Sequence, residues 1–284
     1  MNGNAINAEI TVVIICCDDD RVFRTIASVD RDVPVIVSLV PNAVLEFRLR
    51  EAGVQIVLSQ RGNYSTSCNR GLAAVETKYA FIVDSDCVLH PGCLEEITTQ
   101  LRESPLARAQ VNFQSRSDIY LSKEIADWHS KTNNRLPIRA YTPGLGLRLD
   151  ISPLLGGYFF DERIFWSCDS EFSYRVQRVG LNVTYSESAI ISHAAISFPH
   201  FISSAFKLGM GTRAQVKLGL RPGYENPDWI IRRFLFRINP VRRKEHNQVI
   251  NMLKLNFFLK TVWTVSFYFG YYSVFYHRVD QIRM

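Results

Sequence analysis

Residues 79–86 read Tyr-Ala-Phe-Ile-Val-Asp-Ser-Asp, an apolar run that ends in two acidic residues one position apart. Three other runs are similarly apolar and rich in β-branched residues: Ile10–Cys17, Val33–Val40 and Val54–Leu58. Such runs are typical of strands that are covered on both faces in a parallel sheet. Stretches with helical spacing at 44–52 and 67–77 separate them. The sequence therefore predicts an α/β fold with a mostly parallel central sheet.

Two of the predicted strands end in acidic triplets, Asp18-Asp19-Asp20 and Asp84-Ser85-Asp86. Sheets of this kind bind ligands at the carboxyl ends of their strands. The first triplet fits a ligand role and a solvated loop with a helix N-cap equally well. The second can hold a hard divalent cation such as Mg²⁺ or Mn²⁺, and through it a diphosphate. Because a D-x-D triplet often arises by chance, its surroundings decide its meaning.

The composition is that of a globular protein. Of the 284 residues, 47% are hydrophobic and 21% are charged, which suffices for a full core and excludes a disordered chain. The six cysteines form no C-x-x-C pair, which argues against a zinc ribbon or a thioredoxin-type motif. The apolar run near the N-terminus follows no basic residue, so we do not expect a signal peptide. We expect a cytoplasmic protein with reduced thiols.

The charge is unevenly distributed along the chain. Residues 1–201 carry 19 Lys and Arg against 23 Asp and Glu, whereas residues 202–284 carry 14 against 4. A basic C-terminal third suggests a tail that meets an anionic surface, either phospholipid or nucleic acid. We divide the chain into an α/β domain at 1–200 and a helical, basic and aromatic extension at 201–284.

An ordered set of motifs surrounds the second acidic triplet. The stretch 62–96 contains Asn69-Arg70-Gly71 in a helical segment, then the strand, the D-S-D triplet and His90-Pro91 before the next helix. This order resembles family 2 glycosyltransferases, which have the Rossmann-like GT-A fold. In that family the stretch reads as a G-x-x-x-A-x-N-x-G helix, a hydrophobic strand, D-x-D and H-P-x-x-L.

A second block, at residues 144–193, matches the same family. The family pattern is a G-G-[FY]-D-E turn, an acidic E-D-x-[DE]-[LF]-x-x-R helix start and a final His. The matching residues are Gly156-Gly157-Tyr158, Asp161-Glu162, Asp169-Ser170-Glu171-Phe172, Arg175, Gly180 and His193. The resemblance covers about residues 8–200, so the α/β domain is identified as a GT-A catalytic domain.

The resemblance implies a metal-dependent, inverting glycosyltransferase of the hexosyltransferase type. Such an enzyme moves a sugar from a nucleotide-diphosphate sugar, with a UDP-sugar favoured, to a hydroxyl of a glycan or lipid-linked acceptor. It would use Mn²⁺ or Mg²⁺, held by Asp86 and His193, with Asp84 at the metal or the nucleotide ribose. His193 also fits a hydrogen-bonded histidine at a strand end.

By the same resemblance, Asp169 is the general base that takes the acceptor proton. A carboxylate near a helix start is often only a cap. This one follows the aromatic-rich loop 159–166, where partial burial would raise its pKa towards the working range. Glu171 and Arg175 lie one helical turn apart and are expected to form an ion pair that orients Asp169.

The other expected contacts are grouped by ligand. The donor contacts are Cys17, Asp19, Ser38, Asn69, Arg70, Asp84, Ser85 and Asp86. The acceptor contacts are Gly144, Gly146 and Trp166. Arg70 fits an exposed helix arginine equally well, the two glycines fit a strand bulge, and Trp166 fits the core. The family's Pro-Thr-x-Asn after the first strand is Cys16-Cys17-Asp18-Asp19 here, so the nucleotide is not identified.

The C-terminal extension contains a predicted helix at 201–219, a break at 221–227 and an aromatic-rich run at 253–276. Basic residues precede that run: Arg232, Arg233, Arg237, Arg242, Arg243 and Lys244. Its uncharged part, 261–276, is shorter than the roughly twenty residues that cross a bilayer. We expect an amphipathic helix peripheral to the inner face of an anionic membrane, and no nucleic acid. Packing on the catalytic domain, or on a second copy in a homo-oligomer, is the alternative.

Other functions stay open from the sequence. A family member could bind the donor without transferring its sugar, because the nucleotide-reading positions differ from the family pattern. A membrane-bound adaptor could use only the basic tail, but it would leave Asp84, Asp86, Asp169 and His193 without a use. A sugar nucleotidyltransferase is disfavoured, because its G-x-G-x-R-x-x-P loop does not follow the first strand.

Overall fold

A computed structural model of the protein describes residues 9–135, 137–222 and 246–273. The chain divides into two compact units, Met1–Phe201 and Ile202–Met284.

An eight-stranded sheet forms the centre of the first unit within the described residues. Its strands are β1 (Ile10–Cys16), β2 (Val35–Leu39), β3 (Gln55–Leu58), β4 (Tyr79–Asp84), β5 (Cys87–Leu89), β6 (Leu106–Phe113), β7 (Leu145–Arg148) and β8 (Val183–His193). Their order in space is β3-β2-β1-β4-β7-β6-β8-β5. The first four pair in parallel, as do β6 and β8, whereas β7 and β5 run antiparallel to their neighbours. The mostly parallel sheet predicted from the sequence is confirmed.

Helices cover both faces of this sheet. Within the first unit they are α1 (Val22–Ala27), α2 (Ala43–Glu51), α3 (Tyr64–Ala73), α4 (Cys93–Glu103), α5 (Ser122–Asn133), α6 (Cys168–Arg178) and a 3-10 helix at Leu149–Leu155. Polar side chains define where two of them begin. Asn42 caps α2 by accepting from the Leu45 N–H, and Asn63 caps α3 by accepting from the Thr66 N–H. The second cap explains why α3 begins earlier than the predicted residue 67.

The strand order places the two acidic triplets side by side. After β1 the chain moves outward to β2 and β3, then returns to β4 on the other side of β1. This reversal is the point at which open α/β sheets bind ligands. The Thr25 hydroxyl of α1 lies 2.8 Å from the Ser85 carbonyl oxygen and 2.7 Å from that of Cys87, which fixes the turn after β4.

Helix α3 packs closely on the sheet at Gly71. A Cβ atom added there would overlap the Val13 Cγ1 methyl of β1 and lie 3.5 Å from the Ser38 Cβ of β2. Gly71 is therefore required by the close approach of α3 to β1, and protein interiors have little spare volume to absorb an added methyl.

We predict that Gly71→Ala lowers the free energy of unfolding by about 1–3 kcal/mol, because the added methyl overpacks the contact with Val13. Urea unfolding of the full chain measures the loss. Val13→Ala removes the opposing methyl, so the double variant should lose less stability than the two single variants together. Strictly additive losses would show that the two side chains do not meet.

The second unit contains a helical pair. Helix α7 (Phe198–Lys217) enters it from the first unit, and α8 (His246–Tyr272) follows. A Cβ atom added at Gly209 or Gly270 would collide with the backbone of the other helix, at Phe267 or Phe206. The absence of side chains at these glycines therefore allows the two backbones to touch. The predicted helical extension is confirmed.

Two parts of the extension lie outside the described residues: the basic cluster at 232–244 and the last residues of the aromatic run. Among the described residues, no helix combines the length and the apolar character needed to cross a membrane. On helix α8, the exposed fractions of Val265, Phe269 and Tyr272 are 49%, 69% and 57%. Their spacing of four and three residues places them on one helical face.

Candidate active site

Asp86 and His193 meet at the ends of neighbouring strands. The Asp86 Oδ1 atom lies 3.4 Å from His193 Nε2, and the two side chains are 15% and 13% exposed. The main chain fixes this approach, because the Ala194 N–H donates to the Asp86 carbonyl oxygen at 3.1 Å. His193 Nδ1 lies 2.9 Å from the Ala194 carbonyl oxygen, and its ring stacks on Phe113. These contacts turn Nε2 towards the carboxylate, which is how protein scaffolds orient a metal-binding imidazole.

The donor atoms at this point fit a divalent cation. One ligand atom each from Asp86, Cys87 and His193 lies within 4.8 Å of the others. Burial raises the pKa of the Cys87 thiol well above its ordinary value, and a thiol is in any case a poor ligand for Mn²⁺ or Mg²⁺. The remaining carboxylate and imidazole suit Mn²⁺ better than Mg²⁺, which prefers an all-oxygen shell.

Asp84 lies beside this pair and is held by a tyrosine. The Tyr64 hydroxyl donates to Asp84 Oδ1 at 2.7 Å. Burial, and then the charge of Asp86, raise the pKa of Asp84 to about 6. Tyr64 had no signal in the sequence, because only the return of the chain from α3 to β4 brings its phenol to Asp84.

Arg21 is a second residue that the sequence did not reveal. Its Nε atom donates to both Asp19 oxygens at 2.9 Å, and its Nη1 lies 3.5 Å from Asp86 Oδ2. Burial disfavours the Asp19 carboxylate, but the hydrogen bonds from Arg21 outweigh burial and lower its pKa. Arg21 thus links the acidic loop after β1 to the D-x-D turn. Its place directly after Asp18–Asp20, at a helix start, was the available signal.

Asp169 lies in the first turn of α6. Its carboxylate accepts from the Ser170 N–H at 2.8 Å and lies beside the main chain of Thr142. Burial raises the pKa of Asp169 to about 6, although the Ser170 hydrogen bond, the charge of Arg108 and the Thr142 main chain oppose the shift. Asp84 lies within electrostatic reach of Asp86, His193 and Asp169. The structure therefore brings these four side chains to one end of the sheet.

The loop before α6 is tied to that helix by the ion pair that the sequence predicted. Arg175 Nε lies 2.5 Å from Glu171 Oε1, and Glu171 is fully buried. The same guanidinium donates to the Leu155 carbonyl oxygen at 2.6 Å and to that of Tyr158 at 3.1 Å. Arg175 also lies over the Tyr158 ring. This network holds the glycine turn at 156–157 against the start of α6.

Two expected ligand contacts are corrected by the structure. The Ser38 side chain is fully buried and donates to the Ser67 carbonyl oxygen of α3 at 2.7 Å. Gly146 lies inside β7, where an added Cβ would collide with Ile97 and lie 3.2 Å from Leu101, both on α4. Neither position is open to a ligand, because β2 and β7 present them to the helices.

The other expected contacts lie at or near the carboxyl edge of the sheet. The Asn69 amide binds the main chain of Phe160 through both its atoms, and Arg70 donates to the Leu58 carbonyl oxygen at 2.7 Å. Both residues thus hold other segments of the chain in place, and both remain partly exposed. Cys17 is exposed, and Trp166 is half-buried. Gly144 has a φ of +82° and ends the turn beside Asp169.

Comparisons with known proteins agree with this arrangement. Residues 28–152 match the family model described as glycosyl transferase family 2. No curated protein matches the chain. Among solved structures, the crystal structure of S. aureus TarS has a similar fold, with a TM-score of 0.50 and 14% sequence identity. The match covers 93% of this chain but 54% of TarS, so the chain spans about half the length of that protein. The match over residues 28–152 therefore supports a family 2 glycosyltransferase, and the similar structure shows a GT-A-like fold.

Proposed function

We propose that the protein is a metal-dependent, inverting glycosyltransferase that uses a nucleotide-diphosphate sugar, with Asp169 as the general base. The observation that carries the proposal is the grouping of the close Asp86–His193 pair with Asp169 at the point where the strand order reverses. A carboxylate whose pKa is raised to about 6 is matched to proton abstraction near neutral pH.

The proposed reaction is a direct displacement. Asp169 accepts the proton of the acceptor hydroxyl while that oxygen forms a bond to the anomeric carbon of the donor sugar. The bond from that carbon to the diphosphate oxygen breaks, and the nucleoside diphosphate leaves with the bonding electrons. Attack from the face opposite the leaving group inverts the anomeric configuration. Alignment of the two substrates supplies much of the rate enhancement.

Asp86 and His193 are the proposed ligands of Mn²⁺ or Mg²⁺. A divalent cation there would neutralise the diphosphate as it leaves. We assign Asp19, Asp84 and Ser85 to the donor, with Cys17, Asn69 and Arg70 around them and a UDP-sugar as the favoured substrate. Trp166 and the Gly144 turn are assigned to a glycan or lipid-linked acceptor. Trp166 shortly precedes Asp169 along the chain, and the turn lies beside the Asp169 carboxylate.

The base assignment predicts the behaviour of Asp169→Asn. Asn keeps an oxygen that accepts from Ser170 but cannot take a proton, so turnover should fall about a hundredfold or more while donor binding persists. In the wild type, turnover should decline as the pH falls below about 6, because protonation removes the base. Steady-state assays of sugar transfer across pH measure both effects.

Asp150→Asn is the matched control, because that carboxylate is 62% exposed and pairs only locally with Arg148. Its turnover should equal that of the wild type. Full turnover in Asp169→Asn would overturn the base assignment. Donor binding with no turnover in the wild type, over a panel of glycan and lipid-linked acceptors, would favour the donor-binding protein without transferase activity.

The metal assignment predicts a specific ligand response. One nucleotide among UDP, GDP, dTDP and the monophosphate CMP should raise the melting temperature of the full chain more with Mn²⁺ than without it. Asp86→Asn and His193→Ala should each abolish the Mn²⁺-dependent part. Cys87→Ala should keep it, because Mn²⁺ prefers carboxylate and imidazole ligands to a thiol. A response that survives both ligand substitutions would place the cation elsewhere.

We further propose that the protein is cytoplasmic and peripheral to an anionic membrane surface, through α8. The exposed face of Val265, Phe269 and Tyr272 supports this, together with the basic residues at 232–244 in the sequence. Aromatic side chains favour the membrane–water interface.

Substitution of Phe269 and Tyr272 by Ser should weaken co-sedimentation with phosphatidylglycerol-containing vesicles about tenfold or more, since burying one such side chain contributes about 1.5–3 kcal/mol. Phe47→Ser is the control, because Phe47 is 61% exposed on α2 in the other unit. Unchanged vesicle binding combined with an altered oligomeric state would favour a homo-oligomer that buries this face.

A further inference from the structure

Arg108 is a buried cation in the middle of the α/β unit. It lies on β6, is 1% exposed, and is the largest fully buried side chain of the described residues. Its Nη1 donates to the Pro143 carbonyl oxygen, whereas its buried Nη2 has no hydrogen-bond partner among the described residues. Burial lowers the pKa of Arg108 to about 10, so the guanidinium remains charged at neutral pH. Such a charge is costly in a core unless an anion compensates it.

The residue that Arg108 binds belongs to the turn beside Asp169. In the turn 142–144, the Pro143 carbonyl accepts from Arg108, and the main chain of Thr142 lies beside the Asp169 carboxylate. The Gly144 N–H donates to Ile82 of β4 at 2.8 Å, and its carbonyl accepts from Ala109 of β6 at 3.0 Å. Just before the turn, the Ala140 N–H donates to the Ser173 hydroxyl of α6 at 3.2 Å. The turn is therefore fixed to the sheet on one side and adjoins α6 and Asp169 on the other.

The charges around this turn make Arg108 the compensating cation for Asp169. Three other titratable groups face Asp169: Asp84 from β4, Cys68 from α3 and Cys168 from α6 itself. Tyr141 and Tyr185 face Arg108 from the segment before the turn and from β8. Each of these other groups is neutral when protonated and negative when it has lost its proton. Arg108 alone among the groups named here can stabilise a carboxylate.

We propose that Arg108 is a positioning residue for Asp169: it anchors the turn beside the Asp169 carboxylate, and its charge stabilises that carboxylate in its ionised form. The inference rests on the proposed role of Asp169 as the base. Arg108 does not touch substrate in this role. From the buried side of the turn, its charge changes the proton affinity of Asp169.

The test is a titration of Asp169 in the full chain labelled with ¹³C-carboxyl aspartate, with the resonance assigned by its loss in Asp169→Asn. In the wild type we expect a midpoint near 6. Arg108→Met fills similar space without charge, and Arg108→Gln keeps a donor for the Pro143 carbonyl. Both should raise the midpoint by about one unit or more, and Arg108→Lys should restore it largely. Arg148→Met removes an arginine paired with exposed Asp150 and should leave the Asp169 midpoint unchanged.

An unchanged midpoint in folded Arg108→Gln or Arg108→Met would overturn the proposal, as would an equal rise in Arg108→Lys. If Arg108→Met does not fold, Arg108→Gln still decides, because its amide can replace the hydrogen bond to the turn. The acid limb of the turnover profile should move with the midpoint. A moved midpoint with an unmoved limb would keep the Arg108 inference and remove Asp169 as the base.

Discussion

The site depends on the parallel pairing of β1 with β4. That pairing sets Ile15 beside Asp84, and the Ser85 N–H donates to the Ile15 carbonyl oxygen at 3.0 Å. Because β2 lies on the other side of β1, the strand order reverses at this pair and leaves a crevice between the loops after β1 and β4. Every acidic group of the proposed donor site ends or follows one of these two strands. A fully buried, apolar β1 is what holds the pairing in place.

The opposite side of the site is supplied by residues far along the chain. His193 reaches Asp86 because β8 pairs with β5 in a register that sets His193 beside Cys87. Asp169 reaches the same end of the sheet because α6 starts there, next to the turn 142–144. The proposed chemistry thus joins two halves of the unit whose shared element is β4, flanked by β1 and β7.

The parts of this arrangement that could be predicted are those encoded by local patterns. Continuous apolar runs predicted β1 to β4, the acidic triplet marked the end of β4, and the spacing of Glu171 and Arg175 predicted their ion pair. Ser38 was assigned wrongly because β2 continues to Leu39 and turns the Ser38 hydroxyl towards α3. Arg108 was missed because an arginine in a strand normally indicates an exposed position. Its burial depends on a carbonyl oxygen 35 residues later, which no local pattern contains.

The short edge strand β5 has a consequence for local opening of the fold. It contains three residues, lies at the edge of the sheet and is held by antiparallel pairing with β8. Segments of this size open at a small fraction of the global unfolding free energy. Opening of β5 would separate Asp86 from His193, because the Ala194–Asp86 hydrogen bond continues the same ladder. Protection of the β5 amides from exchange and the alignment of the two side chains therefore depend on the same local equilibrium.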